Sequence, residues 1–554
     1  MRNLTTTMLL RKLIKNSKIT KKIAIRGLTS NSNSVRKGFV FFALKGHNFN
    51  GEKFINVAIK KGAVAIVCSR NCKYTNKTIP VIKSSNIRYL LSKTSSNFFK
   101  LKPKNLIAVT GTNGKTSVAD YFYQILTLSK IPVASIGTLG VKFKGKTIKT
   151  NLTTPDTVFL HQILEKIKKE NIDNVIIEAS SHGLHQKRLD NINFKAGIFT
   201  NLSQDHLDYH KTMRSYFNAK LILLNNILTK KKVIITDKAI NQFSEIKKIS
   251  LKNQLKLIEI SKIENKLKRT LKLNFIQLKN ISMAIAAAKL CNISEKRIFK
   301  ILKKINDVNG RLELVKIFSK NIKVYIDFAH TPEALLESLK ILRKYQNNNI
   351  SLVFGCGGDR DFKKRPLMAK IASDNCKKIY VTDDNPRNEK PEKIRNEILK
   401  NINNNNCFNI GSRTLAIKTA IKNADPNEII LVAGKGHETE QIYKNKIFKL
   451  SDKKIINNFK IKKVLNKNKN FEQNKKIFKE IYNTLGIKNF HGLAIDSRVV
   501  KKDNLFLTIR GKNNNGASFI SQALKKGAKS IVSSKKIKKN KNKIIKVDNE
   551  IKFL

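Results

Sequence analysis

The sequence predicts an α/β protein with parallel sheets, on three observations. Short apolar runs alternate with amphipathic helical stretches, a glycine-rich turn separates one such run from the next helix, and one α/β segment occurs twice. At 554 residues and ~150 residues per domain, three to four domains are expected. Hydrophobic residues make up 41% and charged residues 27%, a globular composition. No apolar run reaches the ~18 residues that span a bilayer. Met1–Lys15 lacks the apolar core and small-residue cleavage site of a signal peptide. The expectation is a cytoplasmic chain with no membrane insertion.

The repeat comes first along the chain. Asn31–Val67 aligns without gaps onto Asp496–Val532, with 17 of 37 positions identical, including Gly46/Gly511 and Gly51/Gly516. Each copy reads as a strand (Phe39–Leu44, Leu505–Ile509), a Gly/Asn turn, an amphipathic helix and a second strand. Between the copies, Leu106–Thr110 is a predicted strand and Ser117–Leu128 a helix. Asn174–Glu178, Ala196–Thr200, Lys232–Thr236, Val324–Phe328, Ser351–Phe354, Lys378–Thr382 and Glu428–Ala433 are further strands, each followed by polar or glycine-rich residues. In parallel sheets, ligands gather at the strands' carboxyl ends. A domain boundary is expected near Asn306–Gly310, and the Lys/Asn-rich stretch at 461–476 reads as a linker.

Lys and Arg number 111 against 39 Asp and Glu, a net charge of +72. The lysines run from end to end among abundant Asn and Ile, as A/T-rich coding produces. With no Trp and 7% aromatics there is little for base stacking, so no nucleic-acid partner is expected, although a basic surface attracts anionic substrates. Six cysteines show no CxxC spacing, which argues against zinc and for free thiols.

Thr110-Gly-Thr-Asn-Gly-Lys115-Thr116-Ser117 lies between strand and helix. Glycines there let backbone amides curl around phosphate oxygens at the positive helix end. Lys115 would neutralise the β/γ-phosphates and the Thr116 hydroxyl would reach Mg²⁺. Two residues separate Gly111 from Gly114, where the usual phosphate loop has four. Glu178 ends an apolar strand, where a metal ligand is useful; taken alone it is as readily a solvated strand end. His206 follows another strand, in Thr200-Asn-Leu-Ser-Gln-Asp-His-Leu-Asp-Tyr-His210.

These motifs, in this order, resemble those of the Mur ligases, the ATP-dependent enzymes that build the peptide of the cell-wall precursor. The resemblance covers roughly residues 20–460, and the terminal copy resembles the first domain of the D-alanyl-D-alanine-adding member. It implies a small α/β UDP-binding domain (1–102), a central P-loop ATPase domain (103–309) and a C-terminal Rossmann-like amino-acid-binding domain (310–460). The linker (461–476) and a truncated second copy of the first module (477–554) follow.

The implied reaction joins meso-2,6-diaminopimelate to the D-glutamyl carboxylate of UDP-N-acetylmuramoyl-L-alanyl-D-glutamate through an acyl phosphate. By resemblance, Gly111, Thr112, Asn113, Gly114, Lys115, Thr116 and Ser117 bind ATP with Arg311 and Asp327. Thr116, Glu178, His206 and Lys220, the last as a carbamate, hold Mg²⁺, and Lys115, Glu178, His206 and Lys220 form the catalytic set. Leu28, Ser32, His47, Asn48, Phe49, Asn151, Thr153, Thr154, Ser180, Gln186 and Arg188 meet the UDP-substrate. Arg360, Asp384, Asn385, Pro386, Arg387, Gly434 and Glu438 meet diaminopimelate, whose second carboxylate an arginine can pair bidentately. Family members that add lysine do not keep the Asp-Asn-Pro-Arg arginine. Asn31-Ser32-Asn33 departs from the family's Asp-Ser-Arg, which Asp496-Ser497-Arg498 retains. A lysine-adding or folylpolyglutamate-synthase-like ligase shares the ATP loop, and a neighbouring Mur ligase is a possible partner of the terminal module.

Overall fold

A computed structural model describes residues 8–14, 22–46, 50–270, 275–344, 349–403, 405–460, 492–509, 515–534, 537 and 543–547. The chain divides into two compact units, Met1–Phe459 and Lys460–Leu554.

The first unit carries three sheets that could hold a site. The strands Gly27–Thr29, Phe39–Phe42, Ala63–Ser69 and Val81–Ser84 pair in parallel in chain order. One face buries Leu28, Val40, Phe42 and Val67 against Leu91 and Phe98 of the helix Ile87–Phe98.

The second sheet has eight strands, in the order Lys146–Ile148, Gly140–Phe143, Val133–Gly137, Asn174–Glu178, Asn105–Thr110, Ala196–Phe199, Val233–Thr236, Lys256–Glu259. It is parallel from Val133–Gly137 onward, with an antiparallel ribbon on one edge. Asn105–Thr110 is apolar on both sides because both faces are covered. Ile107 and Val109 pack with Val118 and Phe122 of the helix Lys115–Leu128. Leu106 and Ala108 pack with Leu160 and Leu164 of the helix Thr157–Lys169 on the opposite face.

The third sheet runs Glu313–Phe318, Ile322–Asp327, Ile429–Ala433, Ile350–Phe354, Lys378–Val381, Cys407–Asn409. Only its first pair is antiparallel. Both large sheets turn the carboxyl ends of their parallel strands toward one shared crevice, where Thr116 of one meets Arg311 of the other.

Every apolar run singled out in the sequence is a strand, with ends displaced by at most two residues. The helix after the glycine turn starts at Lys115 rather than Ser117. Gly114, at φ +85°, caps it in a left-handed conformation, so Lys115 and Thr116 enter the first turn. The ribbons at 133–148 and 440–449 are absent from the sequence reading; their strands are only three to five residues long.

In the second unit, Gly492–Ala494, Asn504–Leu507, Ser530–Ser533 and Ile544–Lys546 pair in parallel in chain order, with the helix Ile520–Lys525 between the second and third. This is the arrangement of residues 27–84. Asn31 and Asp496 also do the same local work. Asn31 Oδ1 accepts from Asn33 N (2.9 Å) and Asp496 Oδ1 from Arg498 N (2.9 Å), so the exchange of Asp for Asn keeps the turn. The expected linker at 461–476 lies outside the described residues. Among the described residues, no helix is long and apolar enough to cross a membrane.

Candidate active site

The glycine turn leaves the strand Asn105–Thr110 and is held from the side by the segment after Ala196–Phe199. Thr112 N donates to Asn201 O (3.0 Å) and Asn113 N to Asn201 Oδ1 (2.9 Å). Gly111 has no room for a side chain, since a Cβ would stand 1.9 Å from Thr200 Oγ1. Lys115 folds over the turn, donating to the carbonyls of Gly111 (2.9 Å) and Thr112 (2.8 Å). Burial lowers the pKa of its ammonium, with Glu178 and Asp205 opposing. A cation held over a curl of backbone amides at a helix start is a fit for a polyphosphate.

Behind the turn stands Glu178, 1% exposed. Its Oε2 accepts from the hydroxyls of Thr116 (3.0 Å) and Thr138 (3.0 Å), and its Oε1 from Thr138 N (2.9 Å). Arg311 Nη2 donates to Thr116 Oγ1 (2.9 Å) from the start of the third sheet. Lys220, read in isolation as a helix-surface lysine, is 1% exposed. Its Nζ donates to Gly111 O (2.7 Å) and lies 4.3 Å from the Tyr216 ring centre. Burial, reinforced by nearby Lys115, pushes its pKa well below the usual lysine range.

His206 Nε2 is 3.4 Å from Asp205 Oδ2, and burial lowers its pKa to about 3. The neutral ring keeps a lone pair for a cation. Among the described residues, no three His, Cys, Asp or Glu side chains form a metal-holding group. The expected magnesium set instead draws on a hydroxyl and a lysine. Its hard oxygen donors, Thr116 and Glu178, suit an ion that keeps few protein ligands and binds through phosphates.

Two cavities meet at the turn. One, of about 340 Å³, is lined by Asn113, Gly114, Ser117, Arg311 and Asp327, with Tyr121 and Asn280. Asp327 Oδ1 accepts from the amides of Leu312 (3.2 Å) and Phe328 (2.7 Å). The other, of about 280 Å³, has Thr112, Lys115, Thr116, Thr153, Ser180 and His206 on one wall. Arg360, Asp384, Asn385, Arg387, Gly434 and Glu438 line the opposite wall. On that side Asn385 Nδ2 donates to Glu438 Oε2 (3.1 Å), and the fully buried Lys435 donates to both Glu438 (2.7 Å) and Asn385 Oδ1 (3.2 Å). Pro386 is buried beside this wall, its carbonyl against Gly358.

Thr154 ties the expected sugar-peptide residues together. Its hydroxyl donates to Glu178 O (2.6 Å) and accepts from Ser180 N (2.9 Å), while Arg188 donates to Thr154 O (2.7 Å) and Gln186 Oε1 (2.6 Å). Thr153 pairs with Thr138 (3.2 Å), and Asn151 is exposed beside them. Ser32 opens the short 3₁₀ turn Ser32–Ser34 at the end of the first strand of the small sheet. The Leu28 side chain is 3% exposed in the apolar core, which leaves its backbone for the expected contact. His47, Asn48 and Phe49 lie outside the described residues.

Sequence reasoning missed Asp205, Thr138, His330 and Lys364. Asp205 is 6% exposed. Its carboxylate faces His206, His330 Nε2 (3.6 Å) and Lys364 Nζ (4.0 Å). Burial pushes its pKa up, but His206, His330 and Lys364 outweigh this and hold it well below the usual range. It adjoins His206 in a quoted motif, and the carboxylate itself was the available signal; Thr138 in a turn gave none.

Comparisons with known proteins match the chain in separate segments. The pattern of the Mur ligase middle domain matches residues 109–299, that of the Mur ligase glutamate ligase domain residues 310–436, and that of the Mur ligase family catalytic domain both 24–97 and 489–552. The UDP-N-acetylmuramoyl-L-alanyl-D-glutamate--2,6-diaminopimelate ligase of Brucella melitensis biotype 1 is 36% identical over 458 residues, covering 78% of this chain and 93% of that protein. The protein of the same name from Rickettsia bellii is 37% identical over 461 residues, covering 78% and 95%. A solved ligase of that name shares 26% identity at a TM-score of 0.55, covering 82% of this chain and 98% of that one. MurF from Acinetobacter baumannii shares the fold alone, at 14% identity, a TM-score of 0.55 and coverage of 77% and 95%. With the phosphate turn, the paired sheets and these likenesses agreeing, the chain belongs to the Mur ligase family of ATP-dependent, amide-bond-forming ligases.

Proposed function

We propose that this ligase joins an amino group of meso-2,6-diaminopimelate to the D-glutamyl carboxylate of UDP-N-acetylmuramoyl-L-alanyl-D-glutamate, in the cytoplasm, at the expense of ATP. One observation carries the reading: a single cavity runs from Lys115 at the phosphate turn to Arg387 and Glu438. A zwitterionic head needs a cation and an anion side by side, and Arg387 and Glu438 supply them. The likeness to ligases named for diaminopimelate supports the same choice.

In this reading Gly111–Ser117 hold the triphosphate, with Arg311 and Asp327 toward its phosphate and ribose. Thr116, Glu178, His206 and carbamoylated Lys220 are the residues that would hold magnesium. Bound magnesium neutralises phosphate charge and makes the γ-phosphorus more electrophilic. The substrate carboxylate attacks that phosphorus, ADP leaves, and Lys115 offsets the charge crowded at the transferred group. Asn151, Thr153, Thr154, Ser180, Gln186 and Arg188, with Leu28, Ser32, His47, Asn48 and Phe49, orient the UDP-linked peptide. Arg360, Asp384, Asn385, Pro386, Arg387, Gly434 and Glu438 hold the amino acid so that its free amine reaches the acyl carbonyl. Phosphate then leaves, the nitrogen loses its proton, and the amide remains. Holding the reactants in contact and excluding water is most of the protein's task, because an acyl phosphate hydrolyses readily.

Purified chain is expected to release phosphate from ATP only when the UDP-linked dipeptide and diaminopimelate are both present. Turnover with neither, or with L-lysine equally well, would reject the reading. The terminal unit repeats the small sheet without a phosphate turn and is assigned to a neighbouring ligase rather than to this reaction. Deleting residues 471–554 is expected to leave kcat within about two-fold, as for a separately folded unit; loss of most turnover would overturn that assignment.

A further inference from the structure

We propose that Arg365 and Glu389 form a clamp that fixes the two guanidiniums of the amino-acid pocket relative to one another, making both of them positioning residues for specificity. The inference rests on the reaction assigned above and concerns residues that do not line its cavity.

Arg365 sits in the first turn of the helix Lys364–Asn375 and is 1% exposed. A buried guanidinium is costly unless its charge is paired, and an apolar side chain would often stabilise the fold as well. Arg365 Nε makes no hydrogen bond, so the two terminal nitrogens carry the pairing. Here the partners are specific. Nη2 donates to both Glu389 oxygens (2.9 and 3.0 Å) and to Gly357 O (3.3 Å), and Nη1 donates to Glu397 (2.7 Å). Gly357 belongs to the loop that presents Arg360, and Glu389 follows the loop that presents Arg387. One side chain therefore grips both loops.

The loops are also stitched to each other. Asp359 N donates to Glu389 Oε1 (2.6 Å), Gly358 N to Asn385 O (2.9 Å), and Arg387 Nη1 to Gly358 O (2.8 Å). Asn388 Nδ2 donates to Asp359 Oδ2 (2.6 Å). Each loop holds a non-glycine residue in the left-handed region beside its recognition arginine: Asp359 at φ +53° and Arg387 itself at φ +52°. Such conformations persist where neighbouring contacts enforce them. The clamp is that enforcement. Diaminopimelate differs from lysine only in a second carboxylate, on the carbon that bears lysine's ε-amine, so choosing between them depends on where these guanidiniums point. Small misplacements lose much of an oriented contact.

Glu389→Gln in the full chain tests this, because Arg365 keeps Glu397 and Gly357 O and the fold keeps its buried cation paired. At saturating ATP and UDP-linked dipeptide, KM for diaminopimelate is expected to rise about ten-fold with kcat within about two-fold, the mark of a lost binding orientation. KM for ATP stays unchanged, and the preference in kcat/KM for diaminopimelate over L-lysine falls about ten-fold. Arg365→Lys should lie between wild type and Arg365→Met in that preference. A folded Glu389→Gln with unchanged KM and preference refutes the clamp, as does a KM for ATP that rises in step. A wild-type chain that ignores diaminopimelate refutes the assigned reaction, and the clamp's purpose with it.

Discussion

Lys220→Ala is expected to lower kcat by at least ~10³-fold, the scale at which charge-stabilising groups act in closed active sites. The side chain is fully enclosed and bonded to Gly111 O at 2.7 Å. An ammonium there would stand close to Lys115, which repels it, and away from water, which would solvate it. Those two pressures favour the free amine, and a free amine adds to CO₂, losing one proton to give a carbamate anion. The carbamate would place a negative charge behind the phosphate turn and supply oxygens suited to magnesium. Turnover of the wild type should accordingly fall in buffer stripped of CO₂ and return with bicarbonate. If the alanine variant retains most activity, or bicarbonate has no effect, Lys220 is a structural lysine.

Arg387→Ala should act on one substrate alone. Removing one member of a desolvated charge pair costs about 2–5 kcal/mol, which is roughly 30- to 4,000-fold in kcat/KM for diaminopimelate. ATP and the UDP-linked dipeptide should keep their KM values, because neither the first cavity nor the residues around Thr154 involve Arg387. L-Lysine, which offers no second carboxylate, should be used about as poorly by the variant as by the wild type. Equal losses for both amino acids would show that Arg387 holds the loop rather than the ligand.

Much of this site was legible in the sequence because it sits where strands end. Thr110, Glu178 and Asp327 each close an apolar run, and parallel sheets gather such ends. The phosphate turn was legible because its glycines meet a backbone requirement, with Gly111 pressed against Thr200 and Gly114 in a left-handed cap. Contacts across domains were not legible. Asp205 acquires its meaning from His330 and Lys364, more than a hundred residues away, and no local periodicity encodes that meeting. Lys220 was placed only by the family resemblance, since among 111 Lys and Arg a buried one otherwise looks like all the others.

Arg311 belongs to the stretch that enters the six-stranded sheet, yet it donates to Thr116 beside the phosphate turn. Asp205, from the other sheet, reaches back to His330. The two halves thus interlock like a key and its ward, and neither alone assembles the chemistry. A chain cut between the two sheets would therefore leave Thr116 without Arg311, and Asp205 without His330 and Lys364.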